Sequence, residues 1–172
     1  QEAPENTLEG FRLLRGLGIH HVELDLHLSK DHQLVVIHDK TVDRTTAHSG
    51  NISDFSAANL AKMNAAHHFP NWTNHSGIPR LDEILAEALK ELETATDLNQ
   101  LDQVRVNYLG KKGAFTLQMK QLGKLDPDQR RSVGQTINNA KASFQQQLEQ
   151  RKNAMQNAVL EARLASEAID VT

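Results

Sequence analysis

Four polar side chains that could do chemistry lie within one run of twenty residues, HHVELDLHLSKDHQLVVIHD: Glu23, Asp25, His27 and His38. In this run apolar and polar residues alternate, which is the pattern of a β-strand with one apolar face. Two carboxylates two residues apart on a strand share a face and are well placed to bind one divalent cation. Oxygen ligands favour Mg²⁺ or Ca²⁺, and a nearby imidazole could transfer protons.

The elements that must position these side chains are two predicted strands, residues 22–28 and 34–38. The turn between them is too short for a crossover helix, so we expect antiparallel pairing. With Asp31 and His32 as its central residues, three pairs should face each other: Asp25 and His38, Leu26 and Ile37, Leu28 and Val35. One face is then wholly apolar, and the other gathers the four polar side chains. On spacing alone, a solvated outer face of an amphipathic hairpin, which does no chemistry, is the favoured interpretation.

The composition of the chain changes near its middle. Residues 1–85 have a net charge of −4 and hold all nine histidines, whereas residues 86–172 have a net charge of +1 and no histidine. The first part has strand and loop character, and the second is rich in helix-forming residues. No apolar run approaches the roughly 18 residues of a membrane span. The chain has no cysteine, so it has no disulfide or thiolate metal site. We expect a cytoplasmic protein built from two unrelated segments.

The run from Ile78 to Thr96 predicts a helix that crosses this boundary. Pro79 precedes it, and its apolar residues keep helical spacing through the change of composition near Leu85–Glu87. A helix shared by both segments is what a fusion, engineered or assembled from two sources, would need.

The second segment predicts three further helices, with Asp97 and Asp126 as N-caps of the first and the last. The last helix should span roughly 65 Å from Asp126 to Ile169. From Ile137 to Ile169 its small and apolar residues recur at steps of mostly three and four, which is the pattern of a coiled-coil seam. The preceding helices, folded back as an antiparallel hairpin, or a second copy of the chain would cover this seam.

Basic residues concentrate between Arg105 and Arg131, where the net charge is +5. A basic end on a helical rod is typical of a surface that contacts a phosphate backbone. A solvated basic tip without a partner is the alternative that charge alone leaves open.

Three motifs of the first segment, APENTLEGF, GIHHVELDLHLSKDHQLVVIHDKTVDRTT and IPRLDEIL, occur in an order and at a spacing that closely resemble the glycerophosphodiester phosphodiesterases. The resemblance covers about residues 2–85. It implies a fragment of a (β/α)8 (TIM-type) barrel with Glu23 and Asp25 as metal ligands and His38 as one of two acid/base histidines. For Arg44 it implies either loop structure or phosphate contact. The implied substrate is a glycerophosphodiester, hydrolysed to glycerol 3-phosphate and an alcohol.

Two motifs of that family have no counterpart here. Its His-Arg-Gly motif, which carries the other histidine, would stand just before Glu2, and its Glu-x-Lys strand, which supplies a third metal ligand, would follow Leu85. A barrel of this type takes roughly 250 residues. We therefore expect an incomplete site without catalysis, and a small α/β appendage that is poorly packed or oligomeric. An active phosphodiesterase is the alternative.

The second segment, about residues 87–172, resembles the N-terminal arm of the bacterial phenylalanyl-tRNA synthetase alpha subunit. VRVNYLGKKG and the terminal ASEAIDVT carry this resemblance. It implies an antiparallel helical coiled coil that reaches out to tRNA, with contacts at Lys111, Lys112, Arg130 and Arg131, and no aminoacylation site. The sequence thus predicts a chimera of a phosphodiesterase fragment (1–85) and a tRNA-binding arm (86–172).

Overall fold

The protein is described by a computed structural model, which covers residues 3–19 and 24–171. The described residues form six α-helices and a two-stranded sheet. The helices are α1 (Leu8–Gly16), α2 (Ala57–Lys62), α3 (Leu81–Thr94), α4 (Leu98–Leu109), α5 (Ala114–Gln121) and α6 (Pro127–Asp170). The strands are β1 (Leu26–Leu28) and β2 (Leu34–Val36), and two short 3₁₀ helices span Ile52–Asp54 and Leu122–Lys124.

Side-chain N-caps begin three of the helices, and two of them, Asp97 and Asp126, are those predicted from the sequence. The side chains of Thr7, Asp97 and Asp126 each accept a hydrogen bond from a backbone N–H in the first turn of α1, α4 and α6, respectively. Pro127 follows Asp126 at the start of α6, where its missing N–H removes no helical hydrogen bond. The helix that crosses the composition boundary is α3, and it is continuous through Leu85–Glu87.

The predicted register of the β-hairpin is wrong by one residue. Leu26 pairs with Val36 and Leu28 with Leu34, so Asp25 lies opposite Ile37 and not His38. The hairpin loop has three residues instead of two, because Ser29 bonds Gln33 and His32 takes a left-handed backbone conformation (φ +57°). As a result Val35 and Ile37 leave the face of Leu26 and Leu28 and are buried on the opposite side of the sheet.

Two apolar cores lie on the two sides of this small sheet. One core belongs to the first segment alone and is built around Val35, Ile52, Leu60 and Ile78. The other joins both segments, since Leu24 and Val36 share it with residues of α3 to α6 such as Phe144. The first segment is therefore packed, against the expectation of poor packing, whereas the alternative that it is oligomeric stays a prediction.

Helices α3, α4 and α5 pack on the first half of α6. Helix α3 runs parallel to α6, with Leu85 near Val133 and Leu92 near Arg151. The guanidinium of Arg151 donates to the carbonyl of Ala95 at 3.0 Å, where the chain turns back into α4. Helix α4 then runs antiparallel to α6 and brings Tyr108 against Phe144, with ring centroids 5.1 Å apart.

The second half of α6 extends beyond these helices. Phe144 and Leu148 of the predicted seam are buried, and Met155 is partly buried, but every residue from 156 to 171 is exposed. The seam is thus covered from within the chain over its first half only. No helix among the described residues is long and apolar enough to cross a membrane.

Candidate functional sites

Around His38 four side chains form one hydrogen-bonded network. The Nδ1 atom of His38 donates to the carboxylate of Asp39 at 2.6 Å. The Nε atom of Arg44 donates to the other oxygen of Asp39 at 2.7 Å, and an NH2 atom of Arg44 forms an ion pair with Glu5. With the proton on Nδ1, the neutral imidazole presents its lone pair at Nε2, which is the form that a general base needs.

The charges of this network shift the pKa values of its members. The hydrogen bond to Asp39, followed by the charge of Asp25, raises the pKa of His38 above its usual range. The hydrogen bond from Arg44, followed by that from His38, lowers the pKa of Asp39. Asp39 therefore stays ionised and favours a protonated, acid-competent His38 more than solvent alone would.

Of the two acids predicted from the sequence, Asp25 lies beside this network. Asp25 is half-buried directly before β1, and its carbonyl accepts the backbone N–H of Ile37 at 3.0 Å. The Nε2 atom of His27 donates to the backbone carbonyl of His38 at 3.1 Å, so His27 supports the loop instead of facing the Nε2 atom of His38. Glu23 lies outside the described residues. The described residues contain no group of three or more His, Cys, Asp and Glu side chains that could hold a metal ion, and a Mg²⁺ or Ca²⁺ site at Glu23 and Asp25 stays a prediction.

Sequence reasoning missed two members of this network, Asp39 and Glu5. Asp39 directly follows His38 in the sequence, and this adjacency was the available signal. Glu5 is 39 residues from Arg44, and no local pattern connects them. Of the two roles that the sequence left open for Arg44, its contacts with Asp39 and Glu5 match the role in loop structure.

Lys111 and Lys112 lie on the turn between α4 and α5, and both are exposed. We call residues 110–113 the basic turn. Gly113 allows the chain to pass close to α4, since a Cβ atom there would lie 2.6 Å from the backbone of Tyr108. The turn is thus held against the buried Tyr108 and displays its two lysines to solvent.

Arg130 and Arg131 lie in the first turns of α6, and they differ in their contacts. The guanidinium of Arg130 donates to the backbone carbonyls of Leu122, Gly123 and Leu125, which closes the end of the preceding helical segment. The side chain of Arg130 therefore stabilises the connection between α5 and α6. Arg131 is exposed.

The two basic regions lie apart along α6. The basic turn follows Tyr108 and precedes Phe115, and both rings contact Phe144. Arg131 is 13 residues before Phe144, which corresponds to about 20 Å along the helix axis. Arg131 and the ring contacts that flank the basic turn therefore lie at different heights along α6.

Comparison with known proteins matches the second segment to a protein family. Residues 96–164 match the family model of the aminoacyl tRNA synthetase class II N-terminal domain. The chain is 58% identical over 92 residues to the phenylalanine–tRNA ligase alpha subunit of Aliivibrio fischeri, and 56% identical over 93 residues to that of Photobacterium profundum. Each match covers 54% of this chain and 28% of the relative, so the chain spans little more than a quarter of these relatives.

Solved structures with similarity to the chain are glycerophosphodiester phosphodiesterases. That of Agrobacterium tumefaciens is 34% identical, with a TM-score of 0.49, over 52% of this chain and 38% of the other. An Oleispira antarctica phosphodiesterase, solved with the product sn-glycerol-3-phosphate, is 32% identical, with a TM-score of 0.44, over 49% of this chain and 34% of the other. The curated relatives and the family model agree with the predicted resemblance of the second segment to the phenylalanyl-tRNA synthetase alpha N-terminal region. The solved structures described above are glycerophosphodiester phosphodiesterases.

Proposed function

We propose that the chain binds tRNA through its helical segment, with the basic turn as the principal contact. The observation that carries this proposal is the family-model match over residues 96–164, which includes the turn with its two exposed lysines. The matched relatives are named as tRNA ligases. Lysines on a turn can follow an irregular phosphate backbone, and such contacts give affinity without reading base sequence.

The phosphate contacts are assigned unequally among the four basic residues. Lys111, Lys112 and Arg131 are exposed, and we assign them to tRNA. Arg130 is assigned to the support of the α5–α6 connection, because its donors are directed at three backbone carbonyls. This binding takes place in the cytoplasm, where tRNA is found, and it requires no aminoacylation by this chain.

Salt-dependent binding tests this function. Binding of fluorescently labelled tRNA is measured by anisotropy between 50 and 300 mM KCl, concentrations chosen to span the range of roughly 50 to 200 mM over which phosphate contacts weaken strongly. Lys111→Ala/Lys112→Ala should bind more weakly and flatten the salt dependence by about 0.7 to 0.9 per lost phosphate contact. Lys30→Ala/Lys40→Ala is the matched control, because it removes two exposed lysines from the first segment. Equal affinity and slope for the two double variants would reject the proposal.

A second candidate function is phosphodiester hydrolysis at His38. The observation that favours it is the hydrogen bond from Nδ1 of His38 to Asp39, which fixes the tautomer that a general acid/base requires. In this proposal a water oxygen bonds to phosphorus as the P–O bond to the alcohol breaks, and the water proton passes to solvent. Protonated His38 donates its Nε2 proton to the departing alcohol oxygen, and Asp39 stabilises the imidazolium before that transfer. The divalent cation would be held by Glu23 and Asp25 and would supply charge neutralisation at the phosphodiester.

Hydrolysis of glycerophosphocholine, with Mg²⁺ or Ca²⁺ added, tests this second function. Activity that disappears in Glu23→Ala, in His38→Ala and in chelator would establish the site. Product formation equal in the unmodified chain and in both variants would leave the first segment as a site remnant without hydrolase activity.

A further inference from the structure

Helix α1 lies in a groove on the helical segment, although it belongs to the first segment by sequence. Leu8 and Phe11 pack on the core that includes Ile84 of α3 and Tyr108 of α4. A cavity of about 50 Å³ remains between these helices, so the fit is close but incomplete. This space is large enough to hold water, so apolar contacts fill only part of the interface between α1 and the helices beneath it.

Two arginines of α1 add an electrostatic attachment. Arg12 donates to Glu87 at 2.6 Å, and Arg15 forms an ion pair with Glu91. The two glutamates are one turn apart on α3, and their side chains are only 12% and 14% exposed. Arg15 also donates to the hydroxyl of Tyr108 at 2.9 Å, which satisfies a phenol that is buried on the opposite wall.

These contacts connect α1 to both candidate sites. Tyr108, Asn107 and Ala114 line the groove and lie directly before and after the basic turn. At the other end of α1, the Thr7 cap donates to the carbonyl of Pro4, and Glu5 next to it pairs with Arg44 of the His38 network. The position of one short helix therefore sets the surroundings of the basic turn and of His38.

We propose that α1 is an electrostatic latch: docked through Arg12 and Arg15 on Glu87 and Glu91, it holds the basic turn in place, and its release frees that turn. The ion pairs are well suited to this task. The glutamates are shielded, whereas half of the Arg12 side chain is exposed and within reach of competing ions. The titratable groups that face one another in the groove are Glu9, Arg12 and Arg15 on α1, Glu87, Lys90 and Glu91 on α3, and the neutral phenol of Tyr108 on α4.

A distance measurement tests the latch independently of any tRNA binding. The chain has no cysteine, so Gly16→Cys on α1 and Asn99→Cys on α4 give two unique spin-label sites. A Cβ atom at Gly16 meets nothing within 4 Å, and Asn99 is exposed. The unmodified charges should give one narrow distance distribution. Arg12→Glu/Arg15→Glu removes both ion pairs and should raise the long-distance population by at least roughly tenfold, because losing one charge-assisted hydrogen bond alone corresponds to a change of that size.

The charge swap supplies the decisive comparison. Adding Glu87→Arg/Glu91→Arg to the arginine variant should restore the narrow distribution and the slow amide exchange of residues 110–113. Arg105→Glu/Arg163→Glu is the control, because it reverses two exposed arginines whose ion pairs lie outside the groove. An unchanged distance distribution in Arg12→Glu/Arg15→Glu, or no recovery in the swap while the circular dichroism is intact, would overturn the latch.

If the arginine variant unfolds, the doubly labelled chain with its native charges is titrated with NaCl instead. A distance distribution that broadens with salt supports the latch, and a constant distribution rejects it.

Discussion

At the scale of single residues, Asp39 determines the protonation state of His38, because its carboxylate accepts the hydrogen bond from Nδ1 of His38. We predict that Asp39→Asn lowers the pKa of His38, since the acceptor loses its charge while Asp25, which raises this pKa, and Arg44, which lowers it, both remain nearby. The ring protons of His38, followed by NMR between pH 4 and pH 9 around the usual imidazole pKa of roughly 6.5, give this value directly. Asp43→Asn is the control, because Asp43 bonds the backbone of Gly50 and not an imidazole. A His38 pKa that is the same in both variants would contradict the role of Asp39.

The same pair has a consequence for stability. The folded chain raises the pKa of His38, so its contribution to the free energy of unfolding is fully present below the unfolded pKa and is lost as the pH rises through the folded value. The contribution of Asp39 to the free energy of unfolding depends on pH in the opposite direction. Its pKa is lowered on folding, so its contribution is lost in acid. The network therefore stabilises the fold most in mildly acidic solution, between the two transitions.

Glu87 gives the clearest pH dependence in the molecule. Its hydrogen bond from Arg12, and then that from Lys90, lowers its pKa to about 2, against burial, which acts in the opposite direction. The stability that it contributes is present above the ordinary carboxylate range and is lost as the pH falls toward 2.

We predict that Glu87→Gln lowers the free energy of unfolding by about 2 kcal/mol at pH 7, the size of a charge-assisted hydrogen bond. The difference from the unmodified chain should shrink as the pH approaches 2, where Glu87 becomes protonated. Urea unfolding at pH 7 and in acid measures this difference in the free energy of unfolding. Glu149→Gln, at an exposed position on α6, should change stability at neither pH, and a constant penalty for Glu87→Gln across the range would show that its charge is not responsible.

At the scale of elements, the basic turn depends on a glycine. A Cβ atom at Gly113 would lie 2.6 Å from the backbone carbon and oxygen of Tyr108, a contact that backbone atoms cannot relieve by rotating a side chain. Gly113→Ala should therefore destabilise the fold by about 1 to 3 kcal/mol, the usual cost of overpacking, and displace Lys111 and Lys112.

Gly16→Ala is the matched substitution for this turn prediction. It adds the same methyl group at the end of α1, where a Cβ atom meets nothing within 4 Å, and should be neutral or stabilising by up to about 1 kcal/mol. Thermal unfolding of both variants, with tRNA binding at low salt, checks the pair. A Gly113→Ala chain as stable as Gly16→Ala would mean that the turn is not held against Tyr108.

Helix α6 is one element with two different environments. Phe144 is 1% exposed and packs with Tyr108 and Phe115, whereas Leu160 is 54% exposed. Phe144→Ala should cost about 3 to 5 kcal/mol, and Leu160→Ala should stay within about 0.5 kcal/mol. Chemical denaturation decides: similar losses for both would show that the second half of α6 is covered in solution.

Most of the helices were predictable from the sequence because their signals are local. The caps at Asp97 and Asp126 are each recognised within four residues of sequence, and the structure places helices directly after them. The hairpin register was not predictable, because it depended on whether His32 would adopt a left-handed conformation and add a third loop residue. The pairing of Arg12 with Glu87 joins residues 75 positions apart, and no periodicity encodes it. Site residues fixed by a motif could be named, whereas their partners needed the fold.

At the scale of the whole molecule, the two segments share one core, although their sequences resemble unrelated families. Leu24 and Val36 from the first segment are buried with Tyr108 and Phe144 from the second. The amide of Gln118 on α5 donates to the carbonyl of Leu24 at 3.3 Å, which adds a polar contact at this junction. Neither segment can lose its structure without exposing apolar surface of the other, and burial of this kind makes unfolding cooperative.

The single tryptophan makes this cooperativity measurable. Trp72 belongs to the first segment, where its indole N–H donates to Ser76 at 3.0 Å, so its fluorescence reports on that segment. The circular dichroism at 222 nm comes mainly from helices of roughly three to four turns or more. It therefore reports chiefly on α3 to α6. We predict that both signals give one urea midpoint and one slope, because the shared core couples them. Arg12→Glu/Arg15→Glu, which weakens the attachment of α1, should shift both midpoints together. If fluorescence changed at a lower urea concentration than circular dichroism, the chain would consist of two independently folded pieces joined only by α3, and the shared core would not hold them together in solution.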